Sequence, residues 1–139
     1  MNPILAPIVG KRLVDIAKQD YSWSFRFESD AVLMTESVWR LVSPEAIVLS
    51  SEDHGHRFGH TEPIDALDAV RSAACGRLVR ELVVAAATSD LSLVLEGDLR
   101  IDLLVLSSGY ESWHAWTSVG ELVCQGGGNQ TKIETERQG

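Results

Sequence analysis

The sequence predicts an α+β domain built mainly from antiparallel strands, and three observations support that prediction. Short stretches rich in β-branched and aromatic residues recur along the chain, separated by turn-forming pairs and triplets. These turns are short, which favours antiparallel meanders because parallel strands need long crossovers. One segment, about residues 63–75, has apolar residues at helical spacing. We therefore expect a twisted sheet or a partly closed barrel with one central helix.

The first meander is predicted over about residues 10–51. In "YSWSFRF", Tyr21, Trp23, Phe25 and Phe27 alternate with serine and arginine. This period of two places the four aromatic rings on one face of a half-buried strand. The other strands of this meander are read from "RLVDIAK", "AVLMTESVWRLV" and "AIVLSS".

A loop and the helix are predicted over about 52–76. Thr61 is the expected N-cap, Pro63 lies in the first turn, and Gly76 ends the helix. The apolar residues at helical spacing, which we expect to face the sheet, are Ile64, Leu67, Val70 and Ala74.

A second meander is predicted over about 77–128, followed by a polar tail, 129–139, that we expect to be frayed. The two meanders share short matches: "RLV" at 12–14 recurs at 77–79, and "SFRFESD" corresponds to "SLVLEGD". In both meanders a further strand and a tryptophan-containing strand follow in the same order. This order predicts a pseudo-repeat of two related meanders on either side of the helix.

Composition restricts the partners that the chain can have. With 139 residues, 45% apolar and 23% charged, it resembles a single globular domain. The formal net charge of −8 opposes phosphate backbones, so we expect no nucleic-acid partner. Apolar runs such as "ELVVAAAT" are too short to span a bilayer, so we expect no membrane partner either.

The N-terminus and the cysteines bear on the cellular compartment. "MNPILAPIVGKR" lacks the basic head and apolar core of a signal peptide. Cys75 and Cys124 are the only cysteines and form no CxxC pair, which is typical of buried thiols in a reducing compartment. Both observations favour a cytoplasmic location.

Three of the four histidines lie in the segment "SEDHGHRFGH". His54 and His56 would face the same way on an extended strand, and His60 could approach from the following loop. With Glu52 or Asp53 as a fourth ligand, these histidines are a candidate zinc or iron site. The two glycines of the segment and the absence of a second ligand pair favour a polar loop instead.

No motif in the sequence predicts a catalytic centre. The chain has no GxSxG elbow, and "GGGNQTK" lacks the residue order and the following helix of a phosphate-binding loop. We therefore predict a protein that is not an enzyme, with no catalytic residues and no cofactor. A metal-dependent hydrolase that uses the 52–60 histidine segment is an alternative.

The strand "YESWHAWTS" supplies candidates for contact with a protein partner. Trp113 and Trp116 are three residues apart, so they should face opposite sides of the sheet. Trp116, His114 on the same face, and Tyr110 are the candidates, because aromatic side chains often anchor interfaces.

Two strands also carry more apolar residues than one buried face requires. These strands are "RLVRELVVAAAT" and "LRIDLLVLS". A meander ends in exposed edge strands, and pairing across a two-fold axis would cover them. We therefore expect a homo-oligomer, with a dimer favoured.

The stretch "YESWHAWTSVGELVCQGGG" resembles the C-terminal signature of a bacterial family of small domains of unknown function. The resemblance extends to a "GKRLVDI" strand, a tryptophan strand in mid-chain and "SEDH" ahead of the helix. Some related domains accompany secreted toxins as immunity proteins, so the resemblance implies an immunity-type role. The matched residues imply structural positions only: Tyr110, Glu111, Trp113, Gly127 and Gly128.

Taken together, the patterns predict a cytoplasmic binding module with a protein partner. An acidic surface would steer a basic protein towards it, and an aromatic side chain would anchor the contact. A small-molecule site between the sheet and the helix is a further alternative.

Overall fold

A computed structural model describes residues 1–133, and residues 134–139, which belong to the predicted tail, lie outside the described part. The elements, in chain order, are β1 (Leu13–Gln19), β2 (Ser22–Phe27), β3 (Val32–Thr35), β4 (Trp39–Val42), β5 (Ile47–Ser50), α1 (Ala66–Ala74), β6 (Val79–Val84), β7 (Leu91–Leu95), β8 (Arg100–Leu103), β9 (Trp113–Thr117), β10 (Gly120–Cys124) and β11 (Gln130–Ile133). This arrangement confirms the predicted α+β class with one α-helix among residues 1–133. None of the described helices has the length and apolar character needed to cross a membrane.

The chain crosses between two antiparallel sheets. The six-stranded sheet has the order β1-β2-β3-β9-β10-β11, and the five-stranded sheet has the order β5-β4-β8-β7-β6. The chain passes to the five-stranded sheet after β3 and returns after β8. Neither sheet closes on itself, and the two sheets bury their inner faces against each other in one core.

Aromatic rings from both sheets meet in this core. Trp23 packs edge to face on Trp39 of the opposite sheet, with ring centroids 5.0 Å apart. Trp23, Phe25 and Phe27 are buried, as their alternation predicts, whereas Tyr21 is 88% exposed. The prediction was wrong for Tyr21 because β2 begins at Ser22, which leaves Tyr21 in the turn.

Helix α1 begins later than the sequence pattern predicts. The N-cap is Asp65, whose Oδ1 accepts a hydrogen bond from Asp68 N at 3.0 Å, and not Thr61. The predicted start at Pro63 was therefore also wrong, and the helix ends one residue before Cys75. An aspartate next to the apolar run satisfies the free N–H groups of the first turn more directly than a threonine four residues earlier.

Two segments cover the openings at the sides of the sheets. Helix α1 packs mainly on β1 and also contacts β5, burying Ala66, Val70 and Ala74. On the opposite side the N-terminal 3₁₀ turn Ala6–Ile8 lies against β6. Its neighbour Ile4 is tied to β9, because Thr117 Oγ1 donates to the carbonyl of Ile4 at 2.7 Å.

The two meanders are related by a pseudo-two-fold arrangement that the main-chain hydrogen bonds show. The Gly10 N–H donates to Val79 O at 2.8 Å, and in the counterpart bond the Gly76 N–H donates to Leu13 O at 2.7 Å. Strands β1 to β5 correspond in this way to β6 to β10, and the pair β3–β9 corresponds to the pair β8–β4. Only β11 has no counterpart among the described strands.

The glutamates after β2 and β7 repeat the same arrangement. Glu28 Oε1 accepts from Arg12 N at 2.7 Å, and Glu96 Oε1 accepts from Leu78 N at 2.5 Å. Arg12 and Leu78 also bridge each other, so the pseudo-two-fold axis passes between them. The structure thus supports the predicted pseudo-repeat, with Glu28 over Glu96. In the structure Arg12 corresponds to Leu78. The "RLV" sequence match pairs Arg12 with Arg77 instead, so the two alignments differ by one residue.

The segment 129–133 differs from the predicted polar tail. The turn Gly126–Gly128 reverses the chain, and β11 pairs with β10 from Gln130 opposite Cys124 to Ile133 opposite Glu121. The backbone of β11 therefore extends the six-stranded sheet although its side chains are exposed.

Candidate functional site

Two adjoining depressions lie at one end of the molecule and share Glu36, Ser37 and Leu106 in their walls. Their volumes are about 380 and 260 Å³. Three large apolar or aromatic side chains at their margins project into solvent, with exposed fractions of 88% for Tyr21, 82% for Tyr110 and 68% for Leu106. These three side chains are among the most exposed large apolar or aromatic residues of the described range.

The same depressions are lined by acids. The carboxylates are Asp20, Glu36, Glu52 and Glu111, and the one lining cation is Lys18. We call this region the acidic end, and define it as Asp20, Tyr21, Glu36, Glu52, Leu106, Tyr110 and Glu111. Four carboxylates against one lining cation give these depressions a net negative lining.

Short-range hydrogen bonds position the aromatic residues of the acidic end. Ser107 Oγ accepts from Gly109 N at 3.0 Å and from Tyr110 N at 2.9 Å, which fixes the turn that carries Tyr110. Tyr21 sits in the tight turn between β1 and β2, where Asp20 has a φ of 52°. Ser22 Oγ donates to Gln19 O at 3.0 Å across that turn, so side-chain hydrogen bonds hold both turns.

His114 and Trp116 occupy a separate surface, the outer face of the six-stranded sheet. Their rings stack with centroids 3.7 Å apart and planes inclined by 18°. His114 Nε2 lies 3.4 Å from Glu121 Oε2. Trp113 points the other way and is fully buried, so the two tryptophans face opposite sides, as their spacing predicts. Tyr110 lines a depression that neither His114 nor Trp116 lines.

The structure does not bring the three histidines of the 52–60 segment together. His54 Nδ1 accepts a hydrogen bond from Ala66 N at 3.0 Å, at the start of α1. His56 stacks on Phe58, with ring centroids 5.5 Å apart, and the backbone N–H of His60 donates to Arg57 O. Within residues 1–133, no group of three or more histidine, cysteine, aspartate or glutamate residues is placed to hold a metal ion.

The neighbouring acids of that segment also have local partners. Asp53 Oδ2 accepts from Ser50 N at 2.9 Å, and Ser50 Oγ accepts from Glu52 N at 3.2 Å, which together form a capping box. These hydrogen bonds give the polar side chains of Ser50 and Asp53 a local structural role at the turn Ser51–Asp53.

A buried carboxylate that the sequence did not single out lies on the outer face of the five-stranded sheet. Asp102 is 3% exposed and accepts hydrogen bonds from Arg40 Nε at 3.0 Å, Arg100 Nε at 2.7 Å and Ser92 Oγ at 2.8 Å. Burial would raise the pKa of Asp102, but the bonds from Arg100, Ser92 and Arg40 outweigh burial and lower it. The available signal was a lone aspartate within the apolar run "RIDLLVL".

The two cysteines lie in partly or fully buried surroundings. Cys75 and Cys124 are free thiols, and burial raises the pKa of both, which keeps them protonated near neutral pH.

Compared with known proteins, the chain matches no family model, and no curated protein or solved structure is significantly similar to it. The geometry of the described residues therefore carries the functional argument alone.

Proposed function

We propose that the protein is a non-enzymatic binding module that recognises a basic protein through its acidic end. The observation that carries this proposal is the grouping of exposed Tyr21, Leu106 and Tyr110 around two adjoining depressions lined by acids. Carboxylates on the rim would accelerate encounter with a cationic partner, and the aromatic rings would supply contact area once water is displaced.

An immunity-type role, in which the module covers a basic toxin, is one form of this proposal. Masking an active site by an acidic surface needs complementary charge and tight apolar contacts, both of which the acidic end offers. We further propose a cytoplasmic location, which the two free thiols support.

The experiment compares affinity capture by the unmodified chain, a charge-reversed variant and a matched control. Glu36→Lys/Glu111→Lys reverses two charges in the acidic end, whereas Glu62→Lys/Asp68→Lys makes the same change in net charge at exposed acids elsewhere. We expect a basic protein to be retained by the unmodified chain and the control but lost by the reversed pair, with binding that weakens at high salt.

Single variants separate the aromatic contribution from the charge. Tyr110→Ala should weaken binding of the purified partner by about 10-fold or more, as loss of an interface anchor does. His114→Ala and Trp116→Ala test the separate stacked surface in the same assay. Equal retention of the partner by the charge-reversed pair and the unmodified chain would refute the acidic end as its docking site.

A small-molecule site is the second candidate function. The two depressions are of the size of small ligand sites, but none of the five depressions that we find in residues 1–133 is lined by α1, where the sheet–helix pocket was expected. Native mass spectrometry of the freshly purified protein distinguishes this candidate, since a retained small molecule without a protein partner would support it. The metal-dependent hydrolase has no support in residues 1–133, because His54, His56 and His60 each contact a different local partner and do not converge.

Self-association through β6 is a separate proposal. β6 is the outer strand of the five-stranded sheet, and its Val83 is exposed, whereas β8, the other strand expected to associate, lies in the middle of that sheet. Antiparallel pairing of β6 with a second copy would cover this edge. Light scattering at rising concentration should then show a dimer that Val83→Glu abolishes.

A further inference from the structure

The largest of the five depressions lies on the outer face of the five-stranded sheet, away from the acidic end. It has a volume of about 630 Å³. Val42 forms part of its floor, and we call it the Val42 depression. Its lining includes the apolar residues Val42, Ile47 and Val94 and the charged residues Glu45, Asp98 and Arg100.

The pseudo-repeat shows what fills the corresponding place on the other sheet. Val42 lies opposite Arg100 in the β4–β8 pair, and Trp116 lies opposite Val32 in the corresponding β9–β3 pair. Trp116 therefore stands on the six-stranded sheet where Val42 stands on the five-stranded sheet. The indole of Trp116 covers its part of the six-stranded sheet, and none of the five depressions is lined by Trp116. The smaller side chain of Val42 leaves the corresponding part of the five-stranded sheet open.

The Val42 depression has walls suited to an aromatic ring. Val42, Val94 and Ile47 supply apolar surface, and Ile47 is 60% exposed at the margin. Arg100 adds a planar guanidinium, which is 41% exposed and held by Asp102 through Nε at 2.7 Å and Nη2 at 3.2 Å. A guanidinium fixed in this way loses little freedom when a ring stacks on it.

The rim of the depression carries negative charge. Glu45 forms no ion pair with any residue of the described range 1–133. Asp98 lies 3.8 Å from Arg80 and is largely exposed. A lysine or arginine next to the aromatic residue of a partner would meet these carboxylates.

We propose that the Val42 depression binds the aromatic side chain of a protein partner, from a segment in which lysine or arginine flanks the aromatic residue. The ring takes the place on this sheet that Trp116 takes on the other, stacks on Arg100, and contacts Val42 and Val94. This surface is distinct from the acidic end, so its occupancy does not depend on the function proposed there.

The probe is the capped tripeptide Ac-Lys-Trp-Lys-NH₂, titrated into protein with methyl-labelled valine and isoleucine and followed by NMR. Saturable shifts are expected at the methyl groups of Val42, Val94 and Ile47. Ac-Lys-Ala-Lys-NH₂ tests the ring and Ac-Glu-Trp-Glu-NH₂ tests the charge, and both are expected to bind at least about 10-fold more weakly.

Val42→Trp should fill the depression with an indole of the protein itself, at the position that corresponds to Trp116 on the other sheet. This variant should abolish saturable binding of the probe. Val119→Trp is the matched control, because it adds the same side chain at an exposed turn outside the depression and should bind the probe as the unmodified chain does. If Val42→Trp does not fold, Val94→Lys takes its place, since a lysine there removes apolar wall and repels the probe.

Three results would overturn the proposal. The first is the absence of saturable shifts at the three methyl-bearing residues. The second is equal binding of the tryptophan and alanine peptides, which would reduce the contact to charge alone. The third is unchanged binding by folded Val42→Trp or Val94→Lys.

Discussion

The outer faces of the two sheets stand at corresponding places of the pseudo-repeat but differ in chemistry. On the six-stranded sheet His114 and Trp116 stack on each other. The corresponding residues of the five-stranded sheet are Arg40 and Val42, and Arg40 binds the buried Asp102. One face is thus held by ring stacking, and the other by a charged hydrogen-bond cluster beside an open depression.

The residue that corresponds to Asp102 is Met34, which shows how the two faces could diverge. Met34 lies opposite His114, as Asp102 lies opposite Arg40. The hydrogen bonds that relate the two meanders join main-chain groups and so require no particular side chain at these positions. A repeated backbone can therefore support either a polar or an apolar outer face, provided that each buried polar group has a partner.

On the inner faces, Trp39 and Trp113 correspond to each other but differ in the hydrogen bonding of their indole N–H groups. Trp113 Nε1 donates to Ser89 O at 2.8 Å, whereas Trp39 Nε1 has no hydrogen-bond partner among the described residues. The cause is loop length: Ser89 lies in the long connection between β6 and β7, and the tight turn between β1 and β2 offers no counterpart.

The largest expected effect distinguishes these two tryptophans. Trp113→Phe should lower the free energy of unfolding by about 3 kcal/mol, because it removes ring volume and leaves the Ser89 carbonyl without its donor. Trp39→Phe should cost about 1 kcal/mol, since the lost volume is partly offset by removal of an unpaired N–H. Urea denaturation of both variants checks the difference, and equal losses would contradict it.

The next effect concerns the charged cluster on the five-stranded sheet. Asp102→Asn should cost about 2 kcal/mol at neutral pH, a moderate value because Arg40 and Arg100 remain 39% and 41% exposed and are partly screened by solvent. Met34→Leu at the corresponding position should cost less than about 1 kcal/mol, as hydrophobic replacements of similar volume do.

The pH dependence tests the same cluster by a different route. Because the pKa of Asp102 is lowered by folding, its contribution to stability is present above its unfolded pKa of about 3.9 and is lost as the pH falls through the folded pKa. The unmodified protein should therefore lose more stability between pH 5 and 2 than Asp102→Asn does. Parallel pH profiles of unfolding would show instead that folding does not shift the pKa of Asp102.

Sequence patterns predicted much of the fold because local rules decide it. The alternation of Trp23, Phe25 and Phe27 fixed an inner face, and the match of Glu28 with Glu96 identified corresponding turns. The crossing of β4 and β9 between sheets was not predictable, since strand spacing does not record which sheet a strand joins.

The candidate site was harder to predict than the fold. Tyr110 was a candidate for partner contact, but its proximity to Glu36 depends on the folding of two separate connections, β3–β4 and β8–β9. The grouping of His54, His56 and His60 in sequence suggested a metal site, whereas in space His54 turns to α1 and His56 to Phe58. Closeness in sequence is a weak guide to side-chain direction in a loop with two glycines.

The smallest expected effect compares the corresponding turns after β2 and β7. Ser29 and Gly97 stand at the same place with φ angles of 64° and 79°. At Gly97 a Cβ atom would lie 2.7 Å from Arg77 Nη1, and that group donates to Glu96 O at 2.7 Å. Gly97→Ser should therefore cost about 1–2 kcal/mol, from the left-handed backbone together with displacement of Arg77.

The reverse exchange sharpens the comparison. Ser29→Gly should stabilise the protein by less than about 1 kcal/mol, because relief of the left-handed backbone is offset by the greater freedom of glycine in the unfolded chain. Thermal denaturation of both variants, with Gly97→Ser/Arg77→Ala as a third, separates backbone strain from the clash. If Arg77 is the obstacle, its removal should lessen the cost of the serine. If Gly97→Ser costs the same with Arg77→Ala as without it, the difference between the two turns comes from the left-handed backbone alone.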